Sequence, residues 1–282
     1  MKNYFLIGLI FVISFTYSTI ITAQEKLNVI LAGDSTVATY NSKVRPLAGW
    51  GEFLPYCFGE QIKVINYATG GASTRTFRTW GKWDTVIKSV KEGDYIFIQF
   101  AHNDEKSHTI KKYTDPDTDY QDNLKIYIKE ARAIGAIPVL ITPPVRLKYD
   151  KKTGKLKETH IQSLWHAPAG TRQTSTTYHD AMRKVAQETN TPLLDLNKIS
   201  RQKIEAMPSY EIMKSYYRFV KPGHKNYPKG IKDITHFSVK GAAFMAKCLA
   251  DEMRRINLPI AKYLKKDSDI TVDNLIKEFN KK

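Results

Sequence analysis

Short apolar runs rich in β-branched residues recur along the chain and alternate with more polar segments. Five of these runs predict strands: Leu27–Leu31, Ile62–Tyr67, Tyr95–Phe100, Pro138–Ile141 and Pro192–Leu196. Continuous apolar runs, rather than alternating ones, are typical of parallel strands that are buried on both faces. The pattern therefore predicts a five-stranded parallel sheet.

The segments between these runs show apolar residues at helical spacing. Helices are predicted near Gly51–Phe58, Thr85–Val90, Tyr120–Ile134, Thr176–Thr189 and Ser238–Ile256, the last starting at a favourable N-cap serine. Strands that alternate with helices form βαβ units, so we expect an α/β fold with a doubly wound sheet.

Two long stretches lack any periodicity, namely Glu105–Asp119 and Pro143–Gln173. Long loops of a doubly wound fold lie over the carboxyl edge of the sheet, where ligands bind. Because the chain shows neither an internal repeat nor a linker, we interpret residues 25–282 as one domain.

The first 24 residues have a different character from the rest. Lys2 precedes an apolar run from Tyr4 to Phe15, and small residues follow at Thr22-Ala23. This pattern predicts a signal peptide over residues 1–24 and a protein exported to the periplasm or the medium. The alternative is an uncleaved anchor, for which the apolar run is short. We expect no membrane span once the signal is removed.

The chain is strongly basic, with a formal net charge of +16 that becomes +15 when Lys2 leaves with the signal. An exported basic protein favours an acidic partner: an anionic polysaccharide, a membrane surface or nucleic acid. Charge does not choose between these partners. Cys57 and Cys248 both lie in apolar helical contexts, which favours two buried thiols over a disulfide.

The first strand runs directly into Gly33-Asp34-Ser35. A buried strand that ends in such a tight turn presents a hydroxyl at the edge of the sheet, which makes Ser35 a candidate nucleophile. An ordinary strand-to-turn junction is the alternative, and it is the commoner origin of this tripeptide alone.

The loops after the second and third strands carry candidate oxyanion donors. Paired glycines let the backbone approach a ligand closely, so the amide of Gly71 is one candidate. The side-chain amide of Asn103 is another, while His102 and Asp104 fit a structural role as well as a catalytic one. A plain βα turn is the alternative for the glycine loop.

Near the far end, Asp233 and His236 are separated by two residues and precede the last long helix. A turn of this length brings the carboxylate close to the imidazole, which fixes its tautomer and leaves the other ring nitrogen for a serine. A capped helix start is the alternative. The Asp233–His236 pair is expected after the fifth strand, at the sheet edge that carries Ser35. This position favours the interpretation of His236 as a general base and of Asp233 as the group that orients it.

Taken in order, these blocks resemble the four blocks of the SGNH (GDSL-type) hydrolases. Within that superfamily, four longer runs are similar to the rhamnogalacturonan acetylesterases: Gly33–Ala38, Gly71–Phe77, Phe100–Asp104 and Asp233–Ala242. The resemblance covers roughly residues 27–251. It implies a three-layer α/β sandwich of flavodoxin-like topology over residues 25–282.

The resemblance also implies roles for these residues. Ser35 would be the nucleophile, His236 the base and Asp233 its partner, and the oxyanion hole would comprise the amides of Ser35 and Gly71 with the side chain of Asn103. No metal or organic cofactor is implied. The chain has Ala101 where the family generally has glycine, which we expect to affect substrate fit more than catalysis.

Substrate contacts are sought among basic and aromatic residues. The strip 212–232 contains six basic and four aromatic residues and no acidic residue. Such a composition suits a polymer with sugar rings and uronate carboxylates, and Lys229 is the candidate for uronate binding. A solvated connector whose aromatics pack inward is the alternative. Arg75 is a second candidate unless it pairs within the fold, and Trp165 is a candidate for stacking on a sugar unless it is buried.

The sequence thus predicts an exported serine esterase that removes acetyl groups from an acidic pectic polysaccharide, rhamnogalacturonan in particular. An esterase acting on another acetylated glycan or on a lipid ester keeps the same chemistry. A non-catalytic polyanion-binding protein is the alternative from a different class. Nucleic acid is not an expected partner.

Overall fold

The computed structural model describes residues 26–163 and 170–281. The described residues form ten strands: β1 (Leu27–Gly33), β2 (Leu47–Ala48), β3 (Ile62–Asn66), β4 (Tyr95–Gln99), β5 (Ile137–Ile141), β6 (Tyr149–Asp150), β7 (Lys155–Leu156), β8 (Leu193–Leu194), β9 (Tyr217–Val220) and β10 (Ile231–Ser238). They also form eight α-helices: α1 (Thr74–Thr79), α2 (Lys82–Ser89), α3 (Asp119–Ala133), α4 (Tyr178–Glu188), α5 (Leu196–Glu205), α6 (Tyr210–Ser215), α7 (Val239–Arg255) and α8 (Val272–Phe279).

The central sheet has the strand order β3-β1-β4-β5-β8, and all of its pairs are parallel. These are the five predicted strands, with ends that differ by no more than two residues from the predicted ones. Strand β1 lies beside both β3 and β4, so that Leu31 is paired with Asn66 on one side and Phe97 on the other. The end of β1 therefore opens between two neighbouring loops.

Apolar side chains cover both faces of this sheet. On one face, Trp50, Phe53 and the buried side of α7 form a cluster. On the other face, Phe77, Trp83 and the buried sides of α3 and α4 form a second cluster. The two clusters confirm the predicted three-layer α/β sandwich, since a sheet buried on both faces needs helices on both.

The helix predicted near Gly51–Phe58 is wrong. Residues 50–57 instead form two successive 3-10 turns, Trp50–Glu52 and Leu54–Cys57. Pro55 has no amide hydrogen to donate, so a continuous α-helical ladder is interrupted there. The remaining predicted helices are present as α2, α3, α4 and α7, and Ser238 caps α7 by accepting from the Gly241 amide.

A second sheet of order β2-β10-β9 was not predicted. Its strands are antiparallel, and β9 and β10 form a hairpin from the basic and aromatic strip. The register of this hairpin shifts between Asp233 and Phe237, as in a β-bulge. The Asp233–His236 pair follows the fifth parallel strand in the chain, as predicted, but it lies on a bulged strand of the second sheet, so the expected turn is wrong.

Both cysteine thiols are buried and free, as predicted. Burial raises the pKa of Cys57 and of Cys248 to about 12, so neither is a reactive thiolate near neutral pH. No helix among residues 26–163 and 170–281 is both long and apolar enough to cross a membrane. The predicted signal lies outside the described residues.

Candidate active site

Ser35 lies in the turn that ends β1. Gly33 is required at the start of this turn, because a Cβ there would stand 2.6 Å from a Val37 methyl group and 2.9 Å from the Gln99 carbonyl oxygen. The amides of Val37 and Ala38 close the turn by donating to the Asp34 carbonyl oxygen at 3.2 Å. The turn leaves the Ser35 side chain partly exposed at the carboxyl edge of the sheet.

The Asp34 carboxylate holds the inside of the same turn. It accepts from the Thr36 amide at 2.9 Å and from the Nδ1 of the buried His102 ring at 2.9 Å. Burial would raise the pKa of Asp34, but His102 and Thr36 lower it to about 2. Burial lowers the pKa of His102 to about 4 against the effect of Asp34. A neutral His102 therefore donates to an ionised Asp34, which is a structural role.

Asp233 and His236 complete a chain of hydrogen bonds to Ser35. His236 Nε2 is 2.9 Å from Ser35 Oγ, and His236 Nδ1 is 2.8 Å from Asp233 Oδ2. The other oxygen of Asp233 accepts from the amides of Thr235 and His236 at 2.9 and 3.0 Å. The bulge on β10 thus folds the carboxylate back onto the imidazole, so that Nε2 accepts from the serine hydroxyl.

The same carboxylate has a further partner, Arg218 of β9, whose guanidinium donates to Asp233 Oδ2. Burial would raise the pKa of Asp233, but hydrogen bonds from the His236 ring and from the two amides hold it well below its usual range. Asp233 is therefore ionised across the pH range in which an esterase works. An ionised carboxylate stabilises an imidazolium on His236.

The glycine loop after β3 lies beside Ser35. The Thr69 amide donates to the Gly33 carbonyl oxygen at 2.9 Å, and a Cβ on Gly70 would lie 4.0 Å from the Ser35 Cβ. Gly71 has φ +80°, a conformation that glycine adopts without strain. Among the described residues, no acceptor is found for the amides of Ser35 and Gly71, which leaves both N–H groups for a ligand oxygen.

Asn103, in the loop after β4, faces the same place. One hydrogen of its Nδ2 goes to the Ala72 carbonyl oxygen at 2.9 Å, and its Oδ1 accepts from the Lys106 ammonium at 2.9 Å. A side-chain amide carries two N–H donors, so the second is free for a developing oxyanion. Ala101 is buried in the cluster that contains Phe77 and Trp83 and does not line the pocket. The methyl group that distinguishes it from the glycine of the family therefore does not narrow the pocket.

These loops are tied together beneath the site. The buried Asp104 carboxylate accepts from the amide and the hydroxyl of Thr74 at 2.9 and 2.6 Å and from the Thr114 hydroxyl at 2.8 Å. Arg146 reaches across from the loop after β5 to Glu105 and to the Thr235 hydroxyl next to His236. Arg146 therefore connects the parallel sheet to the strand that carries the imidazole.

Ser35 and His236 open into a pocket of about 340 Å³. The lining residues are Ser35, Gly71, His102, Asn103, Lys106, Lys112, Arg146, Thr235 and His236. Three of them are cations and none carries a carboxylate. The predicted nucleophile, base and oxyanion donors thus meet at one pocket with a positive wall.

The three predicted substrate contacts are placed differently. Arg75 donates to the Ile110 carbonyl oxygen and pairs with Asp119 at 2.7 Å, so it bonds within the fold rather than lining the pocket. Lys229 is exposed in the loop between β9 and β10, also outside the pocket lining. Trp165 lies outside the described residues. A substrate role for each stays a prediction.

The aromatic residues of the basic strip mostly pack inward. Tyr217 is buried and donates to the Val145 carbonyl oxygen at 2.7 Å. Tyr216 packs against Phe244, with their ring centroids 5.0 Å apart. Tyr227 donates to the Val44 carbonyl oxygen and lies under the Arg218 guanidinium. These contacts favour the interpretation of the strip as a packed connector.

Sequence reasoning missed Lys106 and Lys112 as pocket residues. Lys106 follows Asn103 by three positions, a spacing that returns to the same side of a helical turn, and this was the available signal. Lys112 lies in a non-periodic loop, and only the tertiary fold brings it to Gly71. Arg218 belongs to the basic strip 212–232 and Arg146 to the non-periodic stretch Pro143–Gln173, but their contacts with the catalytic strand had no sequence signal.

A serine hydroxyl, an imidazole and an ionised carboxylate in this order, beside convergent N–H donors, define a serine hydrolase site. Residues 31–244 match the GDSL-like lipase/acylhydrolase family, and the chain belongs to that family. It is a serine esterase.

Two relatives from Bacillus subtilis are each 34% identical to the chain. One, the rhamnogalacturonan acetylesterase RhgT, aligns over 86% of this chain and 95% of its own length. The other, described as the probable rhamnogalacturonan acetylesterase YesY, aligns over 85% and 98%.

Solved structures show the same fold. The Bacillus subtilis protein YxiM matches with a TM-score of 0.63 at 24% identity, over 83% of this chain and 57% of that one. A catalytic mutant of an acetylxylan esterase from Geobacillus stearothermophilus matches with a TM-score of 0.53 at 16% identity, over 81% and 94%.

Proposed function

We propose that the protein removes acetyl groups from an acidic pectic polysaccharide, rhamnogalacturonan in particular, through an acyl-enzyme on Ser35. The observation that carries the chemistry is the chain from Ser35 Oγ to His236 Nε2 at 2.9 Å and from His236 Nδ1 to Asp233 at 2.8 Å. The substrate class is supported by the cationic pocket wall and by the activity for which the relative RhgT is named.

In the first half-reaction, His236 Nε2 takes the hydroxyl proton while Ser35 Oγ attacks the acetyl carbonyl carbon. The oxyanion of the tetrahedral intermediate accepts from the amides of Ser35 and Gly71 and from Asn103 Nδ2. Collapse breaks the bond to the sugar oxygen, which leaves with the proton from His236. Asp233 keeps the imidazole in orientation and stabilises its charged form.

In the second half-reaction, water takes the place of the serine hydroxyl. His236 removes a proton from this water as it attacks the acetyl carbonyl of the acyl-enzyme, and collapse returns the proton to Ser35 and releases acetate. The cycle needs no group beyond the side chains and amides named.

Acetate release from a panel of acetylated pectins and xylans tests this function. The wild type is expected to release acetate fastest from acetylated rhamnogalacturonan, and Ser35→Ala is expected to lose this activity while still binding the polymer. Ser268→Ala, which alters an exposed serine outside the pocket lining, is the matched control. A wild type that releases acetate from none of the pectins, or equally fast from the xylans, contradicts the substrate assignment.

We further propose that the protein is exported and that residues 1–24 are removed. The support is the arrangement of Lys2, the apolar run and the small residues that follow it. Expression of the full chain in a bacterial host, followed by N-terminal sequencing of the extracytoplasmic fraction, tests the proposal. A mature chain beginning near Glu25 is the expected result, and an uncleaved chain in the cytoplasm contradicts it.

A further inference from the structure

Two lysine ammonium groups lie directly beside the oxyanion donors. Lys106 Nζ donates to Asn103 Oδ1 at 2.9 Å. Lys112 Nζ is 3.3 Å from the position that a Cβ on Gly71 would occupy. Both side chains line the pocket into which Ser35 and His236 open. Any ester bound at Ser35 therefore has both ammonium groups near it.

Neither ammonium group forms an ion pair with a carboxylate of the described residues. Lys106 is bonded to the neutral amide oxygen of Asn103. The Lys112 ammonium group has no hydrogen-bond or ion-pair partner within residues 26–163 and 170–281; only its backbone amide is bonded, to the Thr109 carbonyl oxygen. Arg146, the third cation of the wall, is already paired with Glu105 behind it. The pocket therefore presents two positive charges that are available to a ligand.

This arrangement is unfavourable without an anion. Burial lowers the pKa of Lys106, and the neighbouring Lys112 charge lowers it further, against smaller opposing effects of the Glu105 and Asp34 carboxylates. Two like charges held near each other in a partly desolvated place raise the free energy of the empty site, and an anion between them relieves it. An ammonium group on a flexible stem also tolerates several carboxylate orientations, unlike the planar fork of arginine.

We propose that Lys106 and Lys112 form a subsite for a carboxylate that the substrate carries next to its acetylated sugar, as a uronate residue does. Lys112 is the principal contact, because Lys106 is already engaged by Asn103. The subsite rests on the proposed function and deepens it: it makes the enzyme select acetyl esters that have a neighbouring negative charge. The transient oxyanion, in contrast, is held by the amides and by Asn103.

A pair of substrates that differ only in this carboxylate tests the subsite. An acetylated rhamnogalacturonan oligosaccharide is compared with the same oligosaccharide after methyl esterification of its uronates, and kcat/KM is measured by acetate release. In Lys112→Met, the preference for the acidic over the methyl-esterified substrate is expected to fall about tenfold, mainly through a higher KM for the acidic one. Lys112→Arg, which keeps the charge, is expected to retain most of the preference.

Lys88→Met is the control, since Lys88 is an exposed lysine of α2 that does not line the pocket. A Lys112→Met enzyme that loses equal activity on both substrates overturns the subsite, because the lysine then serves the oxyanion or the fold. An unchanged preference overturns it as well. A wild type inactive on both oligosaccharides overturns the proposed function and the subsite with it, whereas an active wild type with no preference overturns the subsite alone.

Discussion

At the level of single residues, Asn103 and His236 are each held by hydrogen bonds to the protein that leave one polar atom directed at the reacting groups. Asn103 donates one N–H to Ala72, accepts at its oxygen from Lys106, and keeps the second N–H for the pocket. His236 donates from Nδ1 to Asp233 and keeps Nε2 for Ser35. Fixed polar groups aimed at the place where charge develops are the main source of stabilisation in acyl transfer.

Replacement of Asn103 by alanine tests the oxyanion role. Because one preorganised donor is lost, kcat for acetate release is expected to fall by about a hundredfold or more. Asn103→Asp keeps the size of the side chain but removes both N–H donors, so a comparable loss is expected. Thermal unfolding checks that both variants are folded, and a kcat within a fewfold of the wild type would contradict the role.

Arg218 is predicted to hold the Asp233 carboxylate in place. Its guanidinium donates to the carboxylate oxygen that also bonds to His236, so it helps to fix the group that orients the imidazole. In Arg218→Met this contact is lost, so kcat for acetate release is expected to fall by about tenfold while KM changes little.

Arg218→Lys keeps a charged donor at this position and is the control for this effect. Its kcat is expected to lie closer to that of the wild type than the kcat of Arg218→Met. An Arg218→Met enzyme whose kcat equals that of the wild type, or whose loss is entirely in KM, would contradict the positioning role.

At the level of elements, the site depends on how the second sheet packs against the rest of the molecule. Strand β10 carries Asp233 and His236, while the turn after β1 carries Ser35. The contact of α7 with the segment before β9 is especially close at Gly241, where a Cβ would lie 1.7 Å from the Tyr216 carbonyl oxygen. This backbone contact leaves no room for any side chain.

Gly241→Ala is therefore expected to be destabilising. Forcing a methyl group against backbone atoms typically costs about 1–3 kcal/mol, and both the midpoint of urea unfolding and esterase activity are expected to fall. Gly59→Ala is the control, because the atom nearest to its added Cβ is the flexible end of Gln61. Equal unfolding midpoints for the two variants would contradict the prediction.

The parallel sheet could be predicted from the sequence because each strand is buried on both faces and forms an unbroken apolar run, as Tyr95–Gln99 does. The hairpin of β9 and β10 could not be predicted, because its strands do not form an unbroken apolar run. In β9 the buried Tyr217 is followed by the charged and only partly covered Arg218. The residues of the triad were recognised from their order in the chain. Lys112 was not, because its approach to Gly71 is a property of the tertiary fold alone.

At the level of the whole molecule, two buried groups give opposite pH dependences to stability. His102 has a pKa of about 4 in the folded protein and an ordinary value of 6.5, so between these values the unfolded chain binds a proton there that the native state does not. The stability that His102 contributes therefore rises as the pH is raised from about 4 to 6.5. Burial raises the pKa of Asp104 to about 7 in spite of its hydrogen bonds, so the native state binds a proton there that the unfolded chain releases. Stability from Asp104 therefore falls as pH rises from about 4 to about 7.

Asp104→Asn isolates the second effect. The variant has no carboxyl to ionise at this position, so its free energy of unfolding is expected to increase relative to the wild type as the pH is raised from about 4.5 to about 7.5. The increase is expected to reach about 1 kcal/mol or more, since a tenfold change in proton affinity between the folded and unfolded states is worth about 1.4 kcal/mol. Urea unfolding at the two pH values measures the difference, and a constant difference between variant and wild type would contradict the prediction.

The bond between Ser35 and His236 joins positions 201 residues apart in the chain and spans two sheets. A serine hydroxyl without its base is a weak nucleophile, so a nascent or unfolded chain has no esterase activity to direct at the wrong ester. Turnover begins only when the C-terminal strand has docked. Hydrolysis therefore reports completed folding more strictly than a spectroscopic signal from the parallel sheet, and a refolding experiment that follows both should see activity return last.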